Sequence, residues 1–492
     1  MKKLFYILFL SVLCLTGCYE DKGNYDYNPI PPIELSGLEP EYTVYAMVDV
    51  LDIVPQFAGK EDCDCLWTLF LAGNPQAEVD TLSTEPDLHH KVVESSGTYT
   101  LVLTITNRKT GDKQLFQSSV TVQTEYATGC YILKEVDGQT DVDLMTPNQD
   151  LLENILAGNE TRIAGKPRSF VVCSDINYVD EEGGTHERVK TVWITSDQDA
   201  RMLPLENMQP VYDLHTMFYE EQPNESPRNM QFVANNLNYF SNNGCYNLAL
   251  LIPTAMHKFG LPLEVSNASA GEAKDCACSK YVFSSMLYSM FYDEKNERFL
   301  TCLNGVLCRF SDRDKYGNPT MSPNNMNSDL IYLCKTQANA YAVMFDKGQQ
   351  QHVVYKLETN AYDVYGTELY SPLLEKKELS AGAKLPQGET FGYNLQNAFI
   401  YFSKGSTLYM FDYNTMQEQA DILPGLEGDI TLIKHIQGAN KEGQSYEYLV
   451  VGTSQGGRYK LYFCEMLAGK PDLSKTPKII EGEGAPKDIY IL

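Results

Sequence analysis

The chain has 492 residues, with 65 Asp and Glu against 39 Lys and Arg and a formal net charge of −26. A polyanion of this strength repels nucleic acid and anionic lipid surfaces, which sets DNA and RNA binding aside. The length allows two or more domains with a large core, and 13 Cys are too thinly spread to form a disulfide scaffold.

Residues 1–17 open with Lys2 and Lys3, and Leu4 to Leu15 follow as an uncharged apolar run. That run is about 12 residues, where a spanning helix needs roughly 20. The layout is that of a bacterial signal peptide, and Leu15-Thr16-Gly17-Cys18 resembles a lipobox. The resemblance implies cleavage before Cys18, acylation of its thiol and attachment to a membrane by lipid. Cleavage leaves 475 residues, removes both lysines and takes the charge from −26 to −28. Residues 18–35 then read as the lipidated Cys and a polar, aromatic, Pro-rich tether. Glu20-Asp21, directly behind Cys18, resembles the acidic signal of Bacteroidetes lipoproteins exported to the outer face of the outer membrane.

Residues 36–123 are expected to form a small β-sandwich. In Thr98 to Asn107, Tyr99, Leu101, Leu103 and Ile105 share one face and Thr98, Thr100, Thr104 and Thr106 most of the other, the period of a half-buried strand. Leu66 to Phe70 is an earlier strand that supplies the core Trp67, and Ser119 to Gln123 is the last. Trp67 and the run Gly97-Thr98-Tyr99-Thr100-Leu101-Val102-Leu103 resemble the PKD-type immunoglobulin-like module. Cys18-Tyr-Glu-Asp-Lys-Gly-Asn-Tyr-Asp-Tyr is similar to the start of PKD-like lipoproteins of Bacteroidetes. The resemblance implies a non-catalytic cell-surface protein and carries over no catalytic residue. After Trp67 the chain departs from the module's usual Asp-Phe-Gly-Asp-Gly run, so no calcium site is expected there.

Residues 124–492 repeat a strand, a tight polar turn and a second strand. Phe299–Leu303 with Val306–Phe310, and Tyr341–Phe345 with Val353–Leu357, are two such units. Phe399–Phe402 with Leu408–Tyr413, and Tyr448–Val451 with Tyr459–Phe463, are two more. The turn glycines Gly305, Gly348, Gly405 and Gly456 are 43, 57 and 51 residues apart, and further turns are expected near Gly138, Asp197 and Gly260. Four-stranded blades need about 40–50 residues each, so the pattern predicts an all-β chain ending in a β-propeller of about seven blades. One or two large β-sandwiches are the alternative. Short helices are predicted at Pro147–Leu156, capped by Asn148, and at His215–Glu221.

Signals for chemistry are few. His89 and His90 are adjacent and point opposite ways in a strand. Cys63-Asp64-Cys65 and Cys276-Ala277-Cys278 lack the usual zinc spacing. In Asp312-Arg313-Asp314-Lys315-Tyr316-Gly317, Tyr316 and Pro323 stand where a calcium loop needs oxygen ligands, so a turn is expected. Cys302 and Cys308 flank Asn304-Gly305; in a two-residue hairpin Cys302 faces Leu307 and Thr301 faces Cys308, which forbids a bridge. No serine-nucleophile elbow or phosphate loop is found, and no cofactor is expected. The segment Asn235 to Asn247 combines amides with aromatics, and as a loop it would offer Asn238, Tyr239, Asn242, Asn243 and Tyr246 to a glycan.

The expected function is therefore binding without catalysis: capture of a glycan or peptide beside an outer-membrane nutrient-uptake system. A structural or adhesive envelope protein is the alternative, and a propeller glycoside hydrolase or lyase the third reading.

Overall fold

The structure, a computed structural model, describes residues 32–46, 49–73, 79–94, 96–124, 126–180, 182–252, 254–362, 368–439 and 443–492. The expected signal peptide, Cys18 and nearly all of the tether lie outside the described residues. The chain divides into two units, Met1–Val122 and Gln123–Leu492.

In the first unit, β-branched and aromatic residues at alternate positions build two antiparallel sheets. Glu41–Tyr45, Lys113–Gln123, Gly97–Asn107, Cys63–Leu71 and Asp80–Ser83 form one, in that spatial order. Val50–Ile53 pairs with Leu88–Lys91 in the other. Leu101, Leu103 and Ile105 are fully buried on the predicted face, against Trp67, Leu69 and Leu88. Trp67 is also fully buried, and its Nε1 donates to the Glu85 carbonyl at 3.1 Å.

The second unit is all-β as well, with seven small antiparallel sheets among the described residues. Six are nearly sequential. Their first strands are Pro167–Val179, Pro227–Val233, Cys278–Ser284, Ser328–Lys335, Phe391–Tyr393 and Asp429–Ala439, and each pairs with the strand that follows it. The remaining sheet joins distant parts of the chain. Cys130–Val136 pairs on one side with Gln139–Met145 and on the other with Ala485–Ile491. These seven edge strands are the leading strands. Each touches the leading strand of the next sheet, and Ala485–Ile491 touches both Asp429–Ala439 and Pro167–Val179.

The predicted hairpins all form. Thr301 faces Cys308 and Cys302 faces Leu307, so the two thiols stand on opposite faces. The turn between them needs positive φ at both residues, 47° at Asn304 and 78° at Gly305, the requirement that Asn-Gly meets best. Strands in the middle of these sheets lose their alternation. Every residue of Tyr288–Asp293 and Arg298–Leu303 is buried, because neighbouring sheets cover both faces.

Two expected helices are not found. Leu151 and Leu152 pair with Met145 and Leu144 as a short strand, and one helical turn, Ile155–Gly158, follows. At 215–221 the chain turns instead, because Asp213 Oδ1 accepts the backbone N–H of His215 and of Thr216. Gly138 and the Asp197 region do lie in hairpin turns. Gly260 does not; it lies within a long irregular connection between the strands Gly244–Ala249 and Cys278–Ser284. Among the described residues, no helix is long and apolar enough to cross a membrane.

Candidate ligand-binding site

The amide- and tyrosine-rich segment is a hairpin, not a loop. Asn236–Ser241 pairs with Gly244–Ala249, and Tyr239 faces Tyr246 across the ladder. Both tyrosines are buried in a cluster with Phe218 and Phe259. The Tyr246 hydroxyl donates to Glu225 Oε1 at 2.6 Å, and that of Tyr239 to Oε2 at 3.2 Å. The expectation that a loop offers Tyr239 and Tyr246 to a glycan is therefore corrected. Their faces pack on other rings and one carboxylate takes both hydroxyls. Asn238 is buried too, and its Oδ1 accepts from Asn247 Nδ2 at 2.9 Å. The period of a strand marks residues that share a face, but the burial of that face is decided by the neighbouring strands.

Asn242 and Asn243 form the tight turn of the hairpin and stay at the surface. Asn242 Oδ1 accepts the Ser226 N–H at 2.7 Å. Asn243 Nδ2 reaches the Pro223 and Asn224 carbonyls and Glu225 Oε1, at 3.3, 3.1 and 3.1 Å. The next residue, Gly244, has φ of 149°, and a Cβ there would stand 3.0 Å from Pro262 Cβ. That absence of a side chain lets residues 261–264 pass close beneath the turn, where Leu263 N donates to the Cys245 carbonyl at 2.8 Å.

A cleft of about 580 Å³ opens between these parts. Leu261, Pro262 and Leu263 give it an apolar floor; Gln222, Asn243, Glu264, Lys274 and Asp275 give it polar edges. Its far wall is held by Arg298, whose side chain is 6% exposed. The guanidinium donates to Asp293 Oδ2 at 3.0 Å and to the carbonyls of Ala273 and Asp275 at 2.9 and 3.1 Å. Lys295, 2.5 Å from the Asp275 carboxylate, holds that group below its ordinary range. Lys274 pairs with Glu264 at 3.2 Å. An open cleft of this size with an apolar floor and hydrogen-bonding edges suits a small ligand or one segment of a polymer. A second concavity, about 210 Å³, lies at Glu427, Arg458 and Glu481.

The other sequence signals resolve locally. Asp314 accepts the N–H groups of Tyr316 and Asn318, both at 2.9 Å, and the segment from Asp312 to Gly317 is a turn. His89 pairs with Asp52 and His90 with Glu94. Among the described residues eleven thiols are free, nine of them buried. Burial pushes Cys130 up to about 11 and Cys464 up to about 12, which leaves them protonated and poor nucleophiles. Among the described residues, no group of three or more His, Cys, Asp or Glu is placed to hold a metal ion. Cys18 lies outside them.

No curated protein matches the chain. Among solved structures, a quinonprotein alcohol dehydrogenase-like protein from Bacteroides thetaiotaomicron is 12% identical, with 94% of this chain and 98% of that one covered and a TM-score of 0.37. The WD40 domain of SCAP from fission yeast is 9% identical over 72% of this chain and 74% of its own, with a TM-score of 0.23. A chain of a yeast heterotrimeric nucleoporin complex is 7% identical over 72% and 98%, with a TM-score of 0.34. Likenesses this distant say nothing about activity. The PKD-like family matches residues 18–167, a stretch that runs through the sandwich and the strands Cys130–Val136 and Gln139–Met145. Over those residues, about a third of its length, the chain is similar to the PKD-like family.

Proposed function

We propose that this protein is a lipid-anchored outer-membrane protein of the cell surface that captures a glycan or peptide without catalysis, beside a nutrient-uptake system. The observation that carries the binding reading is the cleft of about 580 Å³ at the Asn242-Asn243 turn, with its apolar floor and polar edges. In this reading, Gln123–Leu492 is a seven-bladed β-propeller. The unbroken sequence of contacts from one leading strand to the next supports it, as does the completion of the first sheet by Ala485–Ile491. The sandwich is then a spacer, and Cys18 carries the lipid.

The test is a screen of the purified protein on glycan and peptide arrays, repeated with Leu261→Trp. Leu261 is 64% exposed at the cleft, so the larger ring fills the site without disturbing the core. A ligand whose binding falls at least tenfold in that variant supports capture at this cleft. A ligand indifferent to the substitution, or blank arrays, sinks it. Anchoring is tested separately: Cys18→Ala moves the protein from the membrane fraction to the soluble one.

A further inference from the structure

Six of the seven leading strands carry a bulge. In four sheets whose leading strands are consecutive neighbours, the bulge holds a cation. Pro486 faces Lys134 and Asp488 faces Leu133, which leaves Lys487 as the extra residue. Arg168 is the extra residue between Pro167 and Ser169, and Arg228 between Pro227 and Asn229. Lys280 is at the centre of the wider bulge between Cys278 and Val282. In the other two strands the bulge holds Ile331 and Thr431, and Pro167–Val179 has two further register shifts, between Cys173 and Ile176 and between Ile176 and Tyr178. A bulge re-aims its extra side chain out of the pleat, and these four belong to strands that touch one another in series. Asn229 ties two of the sites together, its Nδ2 donating to the Lys280 carbonyl at 2.9 Å.

These cations are poorly compensated in a chain of net charge −26. Among the described residues, neither Arg228 nor Lys280 has a carboxylate oxygen within 4.0 Å. Arg168 has Asp197 at 3.6 Å and Lys487 has Glu135 at 3.7 Å, both long for ion pairs. The Nε atoms of Arg168 and Arg228 are buried and make no hydrogen bond. Lys280 is open to water, yet surrounding protein lowers its pKa, and Arg168 and Arg228 push it the same way against Glu294. Burial also lowers Lys487, opposed by Glu135 and reinforced by Lys166 and Arg168. The four cations therefore lie along one run of touching strands. Crowding like charges there is unfavourable until an anion arrives.

We propose that Arg168, Arg228, Lys280 and Lys487 form an oxyanion site that binds a ligand carrying several carboxylate, sulfate or phosphate groups. Two arginine forks match planar or tetrahedral oxyanions in two-point contact, and the lysines add point charge. The site shares no residue with the lining of the cleft at Asn243, so it goes beyond the capture reading and stands or falls apart from it.

The test is calorimetric titration of the full chain at low ionic strength with three probes: inorganic pyrophosphate, trigalacturonate and a heparin tetrasaccharide. At least one binds, and the one that binds tells phosphate, carboxylate and sulfate sources apart. In Arg168→Gln/Arg228→Gln its affinity falls about 30-fold or more, since charge-assisted contacts are the strong ones. In Arg188→Gln, an exposed arginine paired with Asp175, it changes less than about twofold. Urea unfolding separates ligand binding from a structural role: the double variant is at least as stable as the parent, because like charges have been removed. Failure of all three probes to bind at millimolar concentration, binding indifferent to the double substitution, or a clear loss of stability in that variant overturns the proposal. Leu261→Trp leaves probe binding unchanged, which keeps failure here distinct from failure of the cleft.

Discussion

Replacing Lys134 with Met should cost the second unit about 3–4 kcal/mol at pH 7, and that cost should shrink in acid. Lys134 and Asp143 are both fully buried, with Nζ 2.6 Å from Oδ1. The contact is nearer to an ion pair than to a well-directed hydrogen bond. Asp143 also accepts the Asn154 N–H at 2.7 Å and the Tyr459 hydroxyl at 2.8 Å. Burial raises its carboxyl above the ordinary range, against Lys134, Asn154 and Tyr459, which act the other way. Removing one partner of a buried pair costs about 3–5 kcal/mol. Protonation sets a ceiling: neutralising a carboxyl of ordinary pKa 3.8 at pH 7 costs about 4.4 kcal/mol. The two surviving donors place the variant below that ceiling. A carboxyl whose folded pKa is raised gives stability that is complete below 3.8 and lost as pH climbs toward the folded value. Between pH 7 and pH 5 the penalty should therefore fall by up to about 2.7 kcal/mol. Lys134→Met/Asp143→Asn, with both charges gone, should return to within about 1.5 kcal/mol of the parent. Urea unfolding followed by Trp193 in a Trp67→Phe background reads the second unit alone, because the chain's two tryptophans lie one in each unit. Equal losses in the single and double variants, or a penalty that does not change between pH 5 and pH 7, would refute the reasoning.

Acid should weaken the protein in two separable steps. His257 and His435 are buried, each accepting a backbone N–H on Nδ1 at 2.8 Å, and burial lowers both below 6.5. Their contribution is complete above pH 6.5 and lost as pH falls through the lowered values, so His257→Gln/His435→Gln should flatten the thermal midpoint between about pH 6.5 and 5. Asp346, lowered chiefly by its bond to Lys376, contributes above its ordinary 3.8 and is lost only below it, so that lower step should survive in the double variant. Ile489→Ala should cost about 2–5 kcal/mol, read by Trp193 fluorescence, since Ile489 is 2% exposed against Ile132, Leu432 and Val450. Gly244→Ala should lose roughly 1–3 kcal/mol in the same assay, from positive φ and the approach to Pro262.

Much of the framework was legible because turn chemistry and alternation agree locally. Asn304-Gly305 announces its hairpin, and the facing of Cys302 with Leu307 follows by counting. Thr98 to Asn107 shows which side is buried, since one side is mostly threonine. The binding surface was less legible. Tyr239 and Tyr246 look like contact residues in a sequence, but they are core because Phe218 and Phe259 arrive from elsewhere to cover them. Leu151 and Leu152 fit helical spacing, and only the nearby edge at Met145 draws them into a sheet. The bulge cations left a faint trace, Pro167-Arg168, Pro227-Arg228 and Pro486-Lys487, but the bulge itself is a property of register between strands.

The strand Ala485–Ile491 has a consequence for the order of assembly. Ala485 faces Glu135 across a separation of 350 residues, while the other sheets are closed by neighbours along the chain. The six sequential sheets can form as their residues become available, whereas the first sheet waits with an unpaired edge at Cys130–Val136. Such a long-range pairing is slow and leaves a strand edge open to aggregation in the interim. A chain interrupted anywhere before residue 485 therefore keeps one edge of Cys130–Val136 open, whatever else of the second unit has formed.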